Sequence, residues 1–164
     1  MPLSLRPATE ADLPYIEDSA HRIWRAHYTS IIAVEQIDYM LQLLYTPDSL
    51  RRQMSEGQRF WIVEEDGTAR GYLAISDKGE GAYFLHKFYL DNQQRGKGIG
   101  ARAFALLLET YPDLKTLRLT VNRQNFKSIN FYFKIGFTIE HCVDIPIGQG
   151  FVMDDFQMLY NNGS

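Results

Sequence analysis

A single cysteine, Cys142, has no partner for an intramolecular disulfide, and His141 beside it brings no further ligands at metal-binding spacing. A disulfide scaffold is thereby excluded, and no metal is expected. Basic charge is equally scarce: 17 Lys and Arg stand against 20 Asp and Glu, a formal net charge of −3. A binder of nucleic-acid backbone carries a clear basic excess, so no nucleic-acid partner is expected. No apolar run approaches the roughly 20 residues that span a bilayer. The stretch from Met1 to Leu13 also lacks the basic, then apolar, then small-residue order of a secretion signal. The expectation is a cytoplasmic protein with no membrane partner.

What is present suits one compact domain over residues 1–164, because 45% of the chain is hydrophobic and no repeat, low-complexity tract or long linker interrupts it. Leu3, Leu5 and the alternation to Pro7 predict a first strand, and Thr9 with Asp12 at the third position predicts a helix start. That helix carries His21, Trp24 and His27. Gln36 to Tyr45 is a second helix with Ile37, Met40, Leu41 and Leu44 on one face, ended by Thr46-Pro47, and Asp48 to Ser55 is a short third. Phe60 to Glu64 and Ala69 to Ser76 read as strands around the hairpin signal Asp66-Gly67. Tyr83 to Leu90 reads as a central strand, apolar on both faces. A helix from Ile99 to Tyr111, a strand from Thr116 to Val121, a helix capped by Asn125 or a neighbour, running through Ile135 and closed by Gly136, and a final antiparallel pair, Phe137 to Val143 and Phe151 to Leu159, complete the chain.

Between the central strand and its following helix lies Gln94-Arg95-Gly96-Lys97-Gly98-Ile99-Gly100. Three glycines at alternate positions strip the turn of Cβ atoms where backbone N–H groups open a helix, which favours a phosphate. Arg95 and Lys97 add positive charge at the same place, and Arg102 follows just inside the helix. A mononucleotide P-loop is excluded, because Gly98 is followed by Ile99 where that motif needs Lys. A dinucleotide fold wants an acidic residue at the tip of the next strand, and that strand ends in Asn122. The pattern that fits every position is R-x-x-G-x-G, set by Arg95, Gly98 and Gly100.

This pattern resembles the pyrophosphate-binding loop of the GNAT superfamily of acetyl-CoA-dependent N-acetyltransferases. A second motif, Asn125 to Phe137, resembles the family's later signature N-x-x-S/A-x-x-x-Y-x-K-x-G-F, and the two stand in the family's order. The resemblance covers about Phe60 to Tyr160. It implies an α/β (α+β) GNAT fold: a mixed, mostly antiparallel sheet of about seven strands, helices on both faces, and splayed central parallel strands. It also implies acetyl-CoA as cosubstrate. Arg95, Gly96, Lys97, Gly98, Ile99 and Gly100 would hold the diphosphate, and Phe88, Tyr89 and Leu90 the pantetheine arm. Asn125, Ser128, Tyr132 and Lys134 would add contacts from the second motif.

Acetyl transfer to an amine needs a group to deprotonate the amine and one to protonate the departing thiolate. Tyr132 occupies the family's general-acid position, and its phenol is protonated at neutral pH. Many family members place a Glu on the central strand as base. Here that position is His86, in Leu85-His86-Lys87-Phe88-Tyr89-Leu90, which holds no carboxylate. A neutral imidazole can act as base at pH 7. Tyr132 as a packed aromatic, His86 as a satisfied sheet histidine and Lys134 as a solvated lysine are the bland alternatives, and they stay open.

Trp24, Tyr28, Tyr39 and Tyr45, with Glu35 and Asp38 among them, suit a cationic amine or else the core of a helix pair. The segment Gly148 to Met158 resembles the last strand of PaiA-like polyamine acetyltransferases, which implies a small-molecule amine acceptor, with spermidine or spermine as the first choice. Asp154 and Asp155 face that acceptor or sit at a strand turn. An acyl-CoA-binding module of the same fold without efficient catalysis is the alternative function, motivated by the missing strand carboxylate. Exposed strand edges are compatible with a homodimer, and no residue specifies one.

Overall fold

The computed structural model describes residues 2–91 and 98–162. Seven strands form one sheet in the order β1-β2-β3-β4-β5-β7-β6: β1 Leu3–Pro7, β2 Arg59–Glu65, β3 Thr68–Gly79, β4 Ala82–Leu90, β5 Thr116–Asn122, β6 Thr138–Gly148 and β7 Phe151–Asn161. The pairs β1/β2, β2/β3, β5/β7 and β6/β7 are antiparallel, and β4/β5 is parallel. Five α-helices accompany the sheet: α1 Leu13–His27, α2 Val34–Leu44, α3 Pro47–Ser55, α4 Ile99–Thr110 and α5 Phe126–Ile135. The expected mixed, mostly antiparallel sheet of seven strands is therefore observed.

By contact density the chain divides into two compact units, the first Met1–Ser76 with Lys87–Pro112, the second Asp77–His86 with Asp113–Ser164. In the first unit the Asp12 carboxylate accepts from the Thr9 N–H at 2.7 Å, so the expected capping pair forms, but it opens a single 3-10 turn, Glu10–Asp12, ahead of α1. Arg6 ties that turn to β2, reaching Asp12 at 2.8 Å and Glu64 at 2.9 Å. Helix α3 starts where Thr46 accepts from the Ser49 N–H at 3.2 Å and Pro47 takes the first turn, which needs no donor there. Ile16, Ile37, Leu41, Leu50, Ile62 and Leu73 are wholly buried and form this unit's core. The hairpin between β2 and β3 turns on Asp66 and Gly67, both at positive φ, as the Asp-Gly pair predicts.

In the second unit β5 pairs along its full length with the later part of β7, from Thr116↔Asn161 to Asn122↔Asp155. Asn125 caps α5, accepting from the Ser128 N–H at 3.3 Å, and Gly136 ends it at φ +112°. Strands β6 and β7 run further than the sequence predicts. Pro146 looks like a strand end, yet it pairs with Val152, because β6 is the last strand of the sheet and a proline on an outer edge removes no ladder donor.

One expectation fails in β4. The strand is not apolar on both faces: Tyr83, Leu85 and Lys87 are buried in alternation, so a lysine takes a core position while Phe84, His86 and Phe88 are half-buried on the other face.

Candidate active site

In the first unit the end of β4 is held tightly. A Cβ built on Gly71 would collide with the Tyr89 carbonyl oxygen and come within 2.9 Å of the Leu90 Cα, so only glycine lets β3 pass this close to Phe88–Leu90. The Asp91 N–H donates to the Arg70 carbonyl at 2.8 Å, and the Asp91 carboxylate pairs with Arg22 of α1 at 2.7 Å. Tyr89 lies 5.6 Å from the ring of the buried Tyr72. Neither Gly71 nor Arg22 was a candidate from the sequence. A glycine inside a strand is the one signal that could have marked Gly71.

Gly98 opens α4 in the left-handed conformation, φ +70°, with nothing within 4 Å of a Cβ built there. Ile99 is buried, and Gly100 lies in the first turn, whose N–H groups point out of the helix start without intrahelical acceptors. That is the local geometry an anion needs. Arg102 reaches Glu65 at 3.7 Å, so part of its charge is already engaged. Arg95, Gly96 and Lys97 lie outside the described residues.

The same unit holds a buried polar cluster. Lys87, 6% exposed, donates to the Gln53 side-chain oxygen at 2.5 Å and to that of Gln58 at 3.4 Å. Its Nζ lies 5.4 Å from the Tyr45 ring centre and 5.3 Å from that of Phe60. Burial pulls its ammonium down to about 7. Trp24, Tyr28 and Tyr45, read from the sequence as acceptor-facing or core, are core: Trp24 stacks on Tyr28 at 4.6 Å and meets Tyr45 at 6.3 Å. Asp38 is exposed and pairs with Arg25 at 2.8 Å.

In the second unit the parallel ladder between β4 and β5 is short. It runs from Ala82↔Thr116 to Phe84↔Arg118, three pairs, and neither strand ends there. His86 lies two residues past the last pair, half-buried, with its ring 4.9 Å from that of Phe84. Helix α5 presents Ser128 and Tyr132 one turn apart, both half-buried. The Tyr132 ring meets Phe131 at 5.5 Å and Phe137 at 5.4 Å, edge to face. Lys134 is exposed in the last turn of α5. Asn122 is buried and accepts from the Gln124 N–H at 2.9 Å, which makes it a turn residue.

The carboxylates of this unit differ in kind. Arg118 and Gln157 both donate to Glu140 and hold it down at about 2. Asp155 is 4% exposed, its Oδ1 has no hydrogen-bond partner, and burial raises it to about 6. Asp154 lies 3.5 Å from Arg123, which also holds Asp144 at 2.9 Å. Among the described residues no three His, Cys, Asp or Glu gather to hold a metal ion, and no helix is long and apolar enough to cross a membrane.

Comparison with known proteins adds to this geometry. The sequence profile of the acetyltransferase (GNAT) family matches residues 17–137. The spermidine N(1)-acetyltransferase of Escherichia coli is 26% identical over 148 residues, which cover 84% of this chain and 74% of that enzyme. The PaiA N-acetyltransferase of Thermoplasma acidophilum, solved with coenzyme A, superposes with a TM-score of 0.78 over 99% of this chain and 100% of its own, at 24% identity. A GCN5-related N-acetyltransferase from Rhodopseudomonas palustris gives 0.79 at 15% identity, over 99% and 97% of the two chains. At these identities the structures speak for a shared fold.

Proposed function

Because the chain belongs to the acetyltransferase (GNAT) family and is an N-acetyltransferase, we propose that it moves the acetyl group of acetyl-CoA onto a primary amine of a small molecule, with a polyamine as acceptor. The observation that carries the reading is the start of α4: a left-handed Gly98, with nothing within 4 Å of a Cβ built there, opening a twelve-residue helix that is the next described element after β4. Free N–H groups and the helix dipole favour a diphosphate there, and Arg95 and Lys97 of the same sequence motif add charge. The short ladder of β4 and β5 is a second support. The β4/β5 ladder reaches Phe84↔Arg118 while β4 runs on to Leu90, and Phe88, Tyr89 and Leu90 beyond it are the segment assigned to pantetheine.

The reaction needs no covalent intermediate on the protein. The acceptor nitrogen gives its proton to His86 and attacks the thioester carbonyl carbon; the C–N bond forms, the C–S bond breaks, and Tyr132 protonates the departing thiolate. A backbone N–H near Leu90 polarises the carbonyl during the attack. Asn125 and Ser128 order the start of α5, and Lys134 adds a cation on the same helix. The polyamine acceptor rests on the resemblance of Gly148 to Met158 to PaiA-like enzymes and on the spermidine acetyltransferase relative.

The experiment is thiol release from acetyl-CoA with spermidine, spermine, lysine peptides, aminoglycosides and amino acids, against a control without acceptor. Release driven by spermidine or spermine supports the full reading. Release with another class replaces the acceptor, and silence from protein that binds acetyl-CoA favours the catalytically quiet CoA-binding module.

A further inference from the structure

Lys87 is the one buried side chain of β4 that packing does not explain. Methionine would fill a similar volume without bringing a desolvated ammonium into the core, so a lysine here works against stability unless it does something else. Its surroundings are built to hold it. From α3, Gln53 offers its side-chain oxygen at 2.5 Å; from the segment before β2, Gln58 offers a second at 3.4 Å. From the end of α2, Tyr45 offers a ring face at 5.4 Å, and from β2, Phe60 another at 5.3 Å. None of these groups is a carboxylate, and burial holds the Tyr45 hydroxyl well above its ordinary value, so it stays neutral. Burial is the sole cause of the lysine's own displacement to about 7.

The hydrogen bonds continue past the first partner. Gln53 is 5% exposed, and its amide nitrogen donates to the carbonyl of Leu44, the last residue of α2, at 2.7 Å. The chain Lys87 to Gln53 to Leu44 thus joins β4, α3 and α2. Its β4 end lies one residue before Phe88–Leu90, the same segment that Gly71 closes from the β3 side and that Arg22 holds beyond its end through Asp91.

We propose that Lys87 is a positioning residue for the acetyl-CoA site, fixing the backbone of Phe88–Leu90 against α2 and α3 through Gln53. This rests on the reading of Phe88–Leu90 as the segment that holds the pantetheine arm. The charged lysine is the tied form: an ammonium donates to both amide oxygens and is attracted to both ring faces, whereas a neutral amine loses the charge-assisted part of each contact.

The test is calorimetric binding of CoA, which avoids turnover, to the wild type, Lys87→Met and Gln53→Glu between pH 6 and pH 9. Wild-type affinity is expected to fall as pH rises through about 7. Lys87→Met should bind at least tenfold more weakly at pH 6 and keep only the pH dependence of the ligand. Gln53→Glu sets a carboxylate beside the ammonium and should move the wild-type inflection upward by a unit or more; having no N–H for the Leu44 carbonyl, it should also bind more weakly than wild type at pH 6. Lys87→Met affinity within twofold of wild type, with a parallel pH profile, overturns the proposal and leaves the acetyltransferase reading intact. Should Lys87→Met not fold, an unmoved inflection in Gln53→Glu overturns it equally. A wild type that binds no CoA at any pH removes the CoA reading itself, and the positioning role with it.

Discussion

Arg118 on β5 holds Glu140 on β6 at two points, Nε to Oε1 at 2.9 Å and a terminal nitrogen to Oε2 at 3.1 Å, and Gln157 donates to the same carboxylate at 2.8 Å. The pair bridges β5 and the edge strand β6 across β7, which lies between them in the sheet. Its carboxyl is displaced from 4.5 down to about 2, so the stability it contributes is fully present above pH 4.5 and is lost as pH falls toward 2. Glu140→Gln should cost about 1 kcal/mol at pH 7, because the partners are partly exposed and screened. The gap from wild type should close between pH 4.5 and pH 2 in urea unfolding series. A gap that stays constant with pH removes the ion pair as its origin.

Asp155 titrates in the opposite sense. Its folded value, about 6, lies above the ordinary 3.8, so the folded state favours the protonated form: the contribution is present below pH 3.8 and lost as pH rises through 6. An amide of the same shape carries no charge at any pH. Asp155→Asn is therefore expected to be more stable than wild type at pH 8, by about 2 kcal/mol, with little difference at pH 3.5. Thermal melts at the two values check it, and a variant less stable at pH 8 shows that the carboxylate is needed there.

Gly71 is predicted to tolerate no side chain. The Cβ of Gly71→Ala would enter space held by the backbone of Tyr89 and Leu90, which cannot rotate away, and overpacking of this kind costs about 1–3 kcal/mol. The same displacement falls on the segment assigned to pantetheine, so CoA affinity should drop along with stability. An alanine variant with wild-type melting and wild-type CoA affinity contradicts the close approach.

Tyr132→Phe keeps the edge-to-face contacts with Phe131 and Phe137 and removes only the hydroxyl. If that hydroxyl protonates the thiolate, kcat should fall roughly 100-fold while CoA binding changes little. Steady-state kinetics with the best acceptor from the panel decide this, and an unchanged kcat takes Tyr132 out of the mechanism.

Features set by one residue's own backbone preference, or by neighbours a turn away, are legible in the sequence. Asn125 caps α5, Gly136 ends it, Asp66-Gly67 makes the hairpin and Gly98 opens α4. Each is a matter of φ, a missing Cβ or a short side chain reaching three residues along the chain. Lys87 is hidden for the converse reason. In an apolar strand a lysine reads as the solvent-facing exception, and the partners that bury it, Tyr45, Gln53 and Phe60, come from earlier segments that the strand's own pattern does not mention. The aromatics of α1 and α2 point equally to an amine wall or to a core, and only their mutual packing puts Trp24, Tyr28 and Tyr45 inside.

By itself, then, the sequence determined the elements in order, the two family motifs and the chemistry they imply, because periodicity, caps and glycine spacing act over a few residues. Tertiary structure alone decided which side chains lost their water. It buried Lys87 without a carboxylate, left Asp155 with an unpartnered oxygen and bound Glu140 to Arg118, since desolvation and pairing depend on segments far apart in the chain.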